Sequence, residues 1–139
     1  MLLDSLPPHP DSANPGATYA LLAAERSGIP FAEVEALKKR YSLTDGELLG
    51  LLRMNLRTLQ RRRKARQPLD AHESAAFIAA ARALAYGQEV FGDIEKLMRW
   101  VRHPNGSLNR ERPLDLLATT TGLQLVRDTL TRIEYGVYV

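Results

Sequence analysis

Seven of the nineteen lysines and arginines stand between Arg53 and Arg66, a stretch of fourteen residues that contains no acid. The other twelve are set against sixteen aspartates and glutamates, so the rest of the chain is net negative although the whole carries +3. A concentrated basic stripe on an acidic body is what phosphate binding asks for, because each phosphate neutralised by a cation releases condensed counterions. The same run also reads as a solvated helix face, and charge alone does not separate the two.

Catalytic chemistry has few candidates. His9 lies in a proline-rich leader, His72 near a helix start and His103 beside Pro104, and none stands with acids or a nucleophile at a spacing suited to catalysis or metal ligation. Glycines are scattered singly, with no phosphate-cradling loop. Cysteine is absent, which excludes disulfides and thiolate metal centres and fits a reducing compartment. The expectation is therefore a non-enzyme without cofactor or metal, in the cytoplasm. The opening "MLLDSLPPHPDSANPG" offers acids and prolines where a secretory leader has a basic segment and an apolar core. No apolar run is long enough for a membrane span. With 139 residues, 45% of them hydrophobic, the chain can bury a real core as one domain or two small ones.

The elements that must carry the basic stripe are helical almost throughout. Tyr19, Leu22 and Ala23 lie in a segment over 17–27 that stops at Gly28 before Pro30. Phe31, Val34, Leu37 and Tyr41 keep helical spacing over 31–41. Thr44 as N-cap with Glu47 three residues on is the reciprocal capping arrangement, opening a helix expected to bury Leu48, Leu49 and Leu52. Asn55 caps the next, through Lys64, with Leu59 inward. A long helix follows from Ala71 to about Phe91, and Asp93 caps a segment whose Ile94, Leu97, Met98 and Val101 share one face. Pro113 suits the first position of a short helix to Leu117. Leu123, Val126, Leu130 and Ile133 line the final helix, with Asp128 and Arg132 spaced for i,i+4 support. Asn105-Gly106-Ser107 reads as a turn, and Gly136 as the end of the last helix.

Two short helices around Leu52-Arg53-Met54, with Leu48, Leu52, Met54 and Leu59 as packing residues, make a helix-turn-helix. The second helix would then enter the major groove. Asn55, Arg57, Thr58, Gln60, Arg61, Arg62 and Lys64 are the candidate DNA-binding residues. Arg pairs bidentately with guanine and Asn or Gln with adenine, while Thr and Lys more often take phosphates. Arg53 occupies the turn position often held by glycine, where a left-handed backbone is costly. Leu56, on the presumed DNA side, is either a thymine-methyl contact or a packing residue.

The stretch "LMRWVRHPNGSL" followed by "RPLDLLATTTGLQLVRDTLTRIEYGVYV" resembles the C-terminal toxin-binding domain of the MbcA/ParS/Xre antitoxin family, partners of RES-domain toxins. Upstream, "SLTDGELLGLLRMNLRTLQRRRK" resembles the Xre-like helix-turn-helix half of the same proteins. The resemblance covers residues 31–139. It implies an all-α fold, with an Xre-like helix-turn-helix DNA-binding and dimerisation domain, bounded here at 16–91, and a small toxin-binding domain over 92–139 with a possible short terminal strand. Residues 1–15, outside the resemblance, read from their prolines as a flexible or loosely packed arm.

The resemblance further implies an antitoxin that neutralises a RES toxin which consumes NAD+ or transfers ADP-ribose from it, and that represses its own operon as a homodimer or higher oligomer. Carried over by position, Trp100, Asn105, Pro113, Leu114, Leu117, Arg132, Glu134, Tyr135, Gly136, Val137, Tyr138 and Val139 are the residues for toxin binding or for shaping its domain. Trp100 reads equally as core. Pro113, Leu114 and Leu117 read as packing residues, Gly136 as a helix terminator, Arg132 and Glu134 as solvated side chains, and the last three residues as a fold-back or an edge strand. The other functional class is a stand-alone helix-turn-helix regulator whose C-terminal half only dimerises.

Overall fold

The computed structural model describes residues 2–7 and 15–136. Among these the chain is all-α, in nine helices: α1 (Leu2–Ser5), α2 (Pro15–Ser27), α3 (Phe31–Arg40), α4 (Asp45–Leu52), α5 (Leu56–Ala65), α6 (Ala71–Phe91), α7 (Ile94–Arg102), α8 (Pro113–Leu116) and α9 (Thr120–Glu134). The only β pairing among the described residues is an isolated bridge between Asn105 and Glu111. The terminal strand expected over the last residues lies outside the described ones.

Local chemistry explains the boundaries. The Thr44 side chain caps α4 by accepting from the Glu47 amide, and the Thr44 amide donates in turn to the Glu47 carboxylate, the reciprocal arrangement read from the sequence. Asp70 and Glu73 build a second such box at the start of α6. Asn55, Asp93 and Thr119 accept from the third amide of α5, α7 and α9. Left-handed residues close the helices: Arg53 after α4 (φ 56°), Arg66 after α5 (φ 51°) and Gly92 after α6 (φ 84°). Arg53 does adopt the conformation that its turn position demands of a non-glycine residue.

α6 is the central post. One connected cluster of buried side chains takes in Val34, Leu37, Leu48, Leu52 and Leu59 from the first half, Phe77, Leu84 and Tyr86 from α6, and Leu97, Val101, Leu114, Val126 and Leu130 from the second. The core thus runs across residue 92 without a break. α7 buries Leu97, Met98 and Val101, and α9 buries Val126 and Leu130 with Leu123 packed against them, as the periodicities require.

Some expectations change. Leu51 joins Leu48 and Leu52 inside while Leu49 is only half-buried, so the inward face of α4 is rotated from the expected one. In α2, Leu21 and Ala24 face the core, whereas Tyr19 is 71% exposed. Asp128 accepts from Gln124 one turn back, at 2.8 Å, in place of an Arg132 partner one turn on. The arm expected over 1–15 is packed at its start: Leu3 and Leu6 are buried, the amides of Leu2 and Leu3 donate to Glu33, and Asp4 pairs with Arg40. Apolar leucines and a carboxylate acceptor on α3 give this segment a seat that no local pattern announces.

Candidate functional site

The basic stretch divides by position on α5. Leu59 is fully buried, and the positions opposite it at i, i+4 and i+7 are Arg57, Arg61 and Lys64, all exposed. None of the three forms an ion pair with a described residue. Gln60 stands exposed beside them, and Leu56 is 47% exposed at the open edge. Three cations at this spacing form a stripe along the solvent face of the second helix, the face that a helix-turn-helix turns to the groove.

Asn55 and Thr58 stand at the start of this helix and are bound to each other: the Thr58 amide donates to Asn55 Oδ1 at 2.9 Å. Capping thus uses one acceptor of Asn55 and leaves its amide nitrogen for other contacts.

Arg62 and Arg63 point the other way, toward the protein. Arg62 pairs with Glu73 of α6 at 2.8 Å and donates to the Pro68 carbonyl at 3.1 Å, with only 15% of its side chain exposed. Placing Arg62 in the groove-facing set thus runs against its geometry, since it turns back to brace α5 against the start of α6. Arg63 donates twice to Asp45 of α4, at 2.9 and 3.0 Å, and once to Glu35 of α3 at 2.7 Å, and it lies over the Phe31 ring. These bonds hold the Asp45 carboxyl well below the usual carboxylate range, with Lys38 adding to the effect, and raise the Arg63 guanidinium further from neutrality. The two helices of the motif and the preceding α3 are therefore joined at one ionic node.

The second half is positioned by backbone contact and by one tyrosine. Pro113 opens α8, and Pro113, Leu114 and Leu117 are buried. A Cβ on Gly122 would collide with the backbone of Leu116, so glycine lets α9 start directly against α8. Asn105 Oδ1 accepts from the amide and hydroxyl of Ser107, making the turn that its sequence promised. Trp100 is half-buried, its ring 5.4 Å from that of Phe91, which places it at the edge of the core with one side open. Tyr86 of α6 donates its hydroxyl toward Thr131 Oγ1 (3.1 Å) and Glu134 Oε1 (3.2 Å), fixing the last turn of α9; burial pushes its phenol pKa up. Between the two anchored residues Arg132 is exposed, and beyond them so are Tyr135, by 74%, and Gly136, which adopts φ 70°. Val137, Tyr138 and Val139 lie outside the described residues. Leu125, 48% exposed on the outer face of α9, is an apolar side chain that the sequence reading did not single out, although its place off the Leu123–Val126–Leu130 stripe is legible in the spacing.

Residues 20–82 match the family described as the antitoxin Xre-like helix-turn-helix domain, and residues 87–136 match the antitoxin Xre/MbcA/ParS C-terminal toxin-binding domain. The chain belongs to the Xre/MbcA/ParS antitoxin family. Among curated relatives of this family, the chain is 26% identical over 129 residues to a protein named Antitoxin Xre from Photorhabdus laumondii subsp. laumondii, covering 92% of this chain and 84% of the relative. It is 27% identical over 119 residues to another Antitoxin Xre, from Yersinia enterocolitica serotype O:8, covering 85% and 80% of the two chains. In family terms, α4 and α5 form the helix-turn-helix of an Xre-type antitoxin, and α7 to α9 fall in the toxin-binding match. Among the described residues no group of histidines and carboxylates is placed to hold a metal ion, and no helix is long and apolar enough to cross a membrane.

Proposed function

We propose that this antitoxin neutralises a RES-domain toxin, one that degrades NAD+ or transfers ADP-ribose from it, through α9 and the residues that follow, and that as a dimer it represses its own operon through α5. The observation that carries the reading is the pairing, in one chain, of an α5 stripe of Arg57, Arg61 and Lys64 left without acidic partners among the described residues with a toxin-binding match that runs to residue 136. In this reading Asn55, Arg57, Thr58, Gln60, Arg61 and Lys64 meet DNA. Pro113, Leu114 and Leu117 shape the domain that presents Arg132, Glu134, Tyr135 and Gly136. An exposed tyrosine at the end of an anchored helix supports partner contact, since aromatic anchors entering a cleft dominate many interfaces. The chain itself performs no chemistry and binds no cofactor; the reaction belongs to the toxin.

The test is genetic and biochemical. The reading expects a neighbouring reading frame that encodes a RES-domain protein, growth arrest when that protein is made alone, and rescue when this chain is added. A chain ending at Glu134 should fail to rescue while still retarding the DNA upstream of its own reading frame. Rescue by the shortened chain would overturn the role given to the tail, and failure of the full chain to bind the neighbour's product would overturn the toxin assignment.

A further inference from the structure

Arg102, the last residue of α7, reaches across to the other half of the molecule. Its guanidinium donates twice to Glu47, from Nε to Oε2 and from Nη2 to Oε1, both at 3.0 Å, and again to the carbonyl of Ser42 at 2.9 Å. Glu47 is also the capping carboxylate of α4, with its Oε1 2.9 Å from the Thr44 amide. Ser42, at φ 51°, belongs to the turn between α3 and α4. One side chain from the toxin-binding half therefore grips both the entry loop and the first turn of the helix-turn-helix.

That first turn has a second function. Asp45, two residues before Glu47, receives both Nη atoms of Arg63 from α5. α4 is thus clamped on one side by Arg102 and on the other by the arginine that fixes the rotation of the recognition helix. We propose that Arg102 is a positioning residue for DNA recognition: it holds the first turn of α4, and through Asp45 and Arg63 it sets how α5 presents Arg57, Arg61 and Lys64. The helix-turn-helix would then lack its full operator affinity without the second half of the chain. Groups held in binding geometry beforehand need no ordering on contact, which is where a bidentate guanidinium–carboxylate pair has its effect. The inference rests on the DNA-binding reading above, and the experiment keeps the two apart.

The full-length chain is titrated with duplex DNA from upstream of its own reading frame over a series of salt concentrations, as wild type, Arg102→Ala, Arg102→Lys, Glu47→Gln and the double variant Arg102→Ala/Glu47→Gln. Arg99→Ala, which removes an exposed charge from the same helix, is the control for net charge. Arg102→Ala should weaken binding roughly tenfold, the scale of a lost charge-assisted bond. Arg99→Ala should stay near wild type, Arg102→Lys should fall between, and the double variant should be no weaker than the worse single one. Because Arg102 touches no phosphate, the slope of affinity against salt should not change. Backbone amides of α4 should exchange faster in Arg102→Ala while those of α9 do not. Unchanged affinity in folded Arg102→Ala, or a slope reduced by about one, would overturn the proposal, the latter by making Arg102 a direct phosphate contact. If the wild-type chain bound no duplex, the DNA-binding reading would fall and the recognition role with it, whereas slow α4 exchange in Arg102→Ala would overturn the clamp alone.

Discussion

The backbone of Gly122 passes so close to Leu116 that a Cβ there would stand 2.9 Å from the Leu116 carbonyl carbon, and nearer still to its oxygen. The obstacle is main chain, which cannot rotate away as a side chain can. Gly122→Ala should therefore force α8 and α9 apart and destabilise the fold by about 1–3 kcal/mol, the range for overpacking. Urea denaturation measures it, and a midpoint equal to that of wild type would show that the α8–α9 junction is looser than drawn.

The solvent stripe of α5 makes a quantitative expectation for DNA. Removing Arg57, Arg61 or Lys64 singly should each lower the salt slope of operator binding by about 0.9 if the side chain neutralises one phosphate. A base-reading arginine would instead relax sequence preference with little change of slope. Anisotropy titrations of Arg57→Ala, Arg61→Ala and Lys64→Ala against operator and scrambled duplexes tell these apart. Unchanged affinity in Arg57→Ala together with Arg61→Ala would count against α5 as the recognition helix.

Arg62 follows Arg61 directly but faces away from this stripe and should behave oppositely. Its partner Glu73 is 9% exposed and caps α6, so Arg62→Ala leaves a largely buried carboxylate short of its cation. A loss of about 1–3 kcal/mol in stability is expected, with the salt slope of DNA binding unchanged. A lower slope without loss of stability would return Arg62 to the DNA-facing set.

Acid should loosen the helix-turn-helix first. The carboxyl groups of Asp45 and Glu47 are lowered from ordinary values of 3.8 and 4.5, chiefly by Arg63 and by Arg102 respectively. A depressed folded-state pKa means stability that is complete above the unfolded value and lost as pH falls through the folded one. Thermal midpoints should hence be level from neutrality down to about pH 5 and decline below it. Both groups are partly solvated, which reduces the size of the effect. Asp45→Asn should lower the midpoint at neutral pH and flatten the acid limb; a limb of unchanged steepness would exclude Asp45 as a contributor.

Tyr86→Phe keeps the buried ring and deletes the hydroxyl bonded to Thr131 and Glu134. About 1 kcal/mol of stability should go, concentrated in faster amide exchange over the last turn of α9. Even exchange along the whole of α9 would mean that this hydroxyl is not its anchor.

What could be read from the residues alone was whatever is signalled locally. Thr44 with Glu47, Asn55, Asp93 and Pro113 mark helix starts through bonds that reach only three residues, and the Leu97–Met98–Val101 and Val126–Leu130 stripes follow from the helical period. The unseen part joins distant positions. Arg62 with Glu73, Arg63 with Glu35, and Arg102 with Glu47 look from the sequence like any other surface charges. So the basic run could be located but not divided, and two of its arginines proved to be struts. Leu3 and Leu6 escaped notice because four residues of helix carry no period, and their seat depends on Glu33 lying some thirty positions away. On α4, two glycines and four leucines in eight residues left the inward face open by a rotation, which is how Leu51 and Leu49 exchanged places.

α6 belongs to both family matches at once, since one ends at residue 82 and the other begins at 87, inside the same 21-residue rod. A recombination event that grafted a new toxin specificity onto an old operator specificity would have to splice within this rod. The incoming α7 and α9 would then meet Phe77, Leu84 and Tyr86 already shaped for other neighbours. On the roles proposed above for α5 and α9, either specificity could be altered by point substitution on the outer face of its helix while Phe77, Leu84 and Tyr86 of the shared post stay as they are.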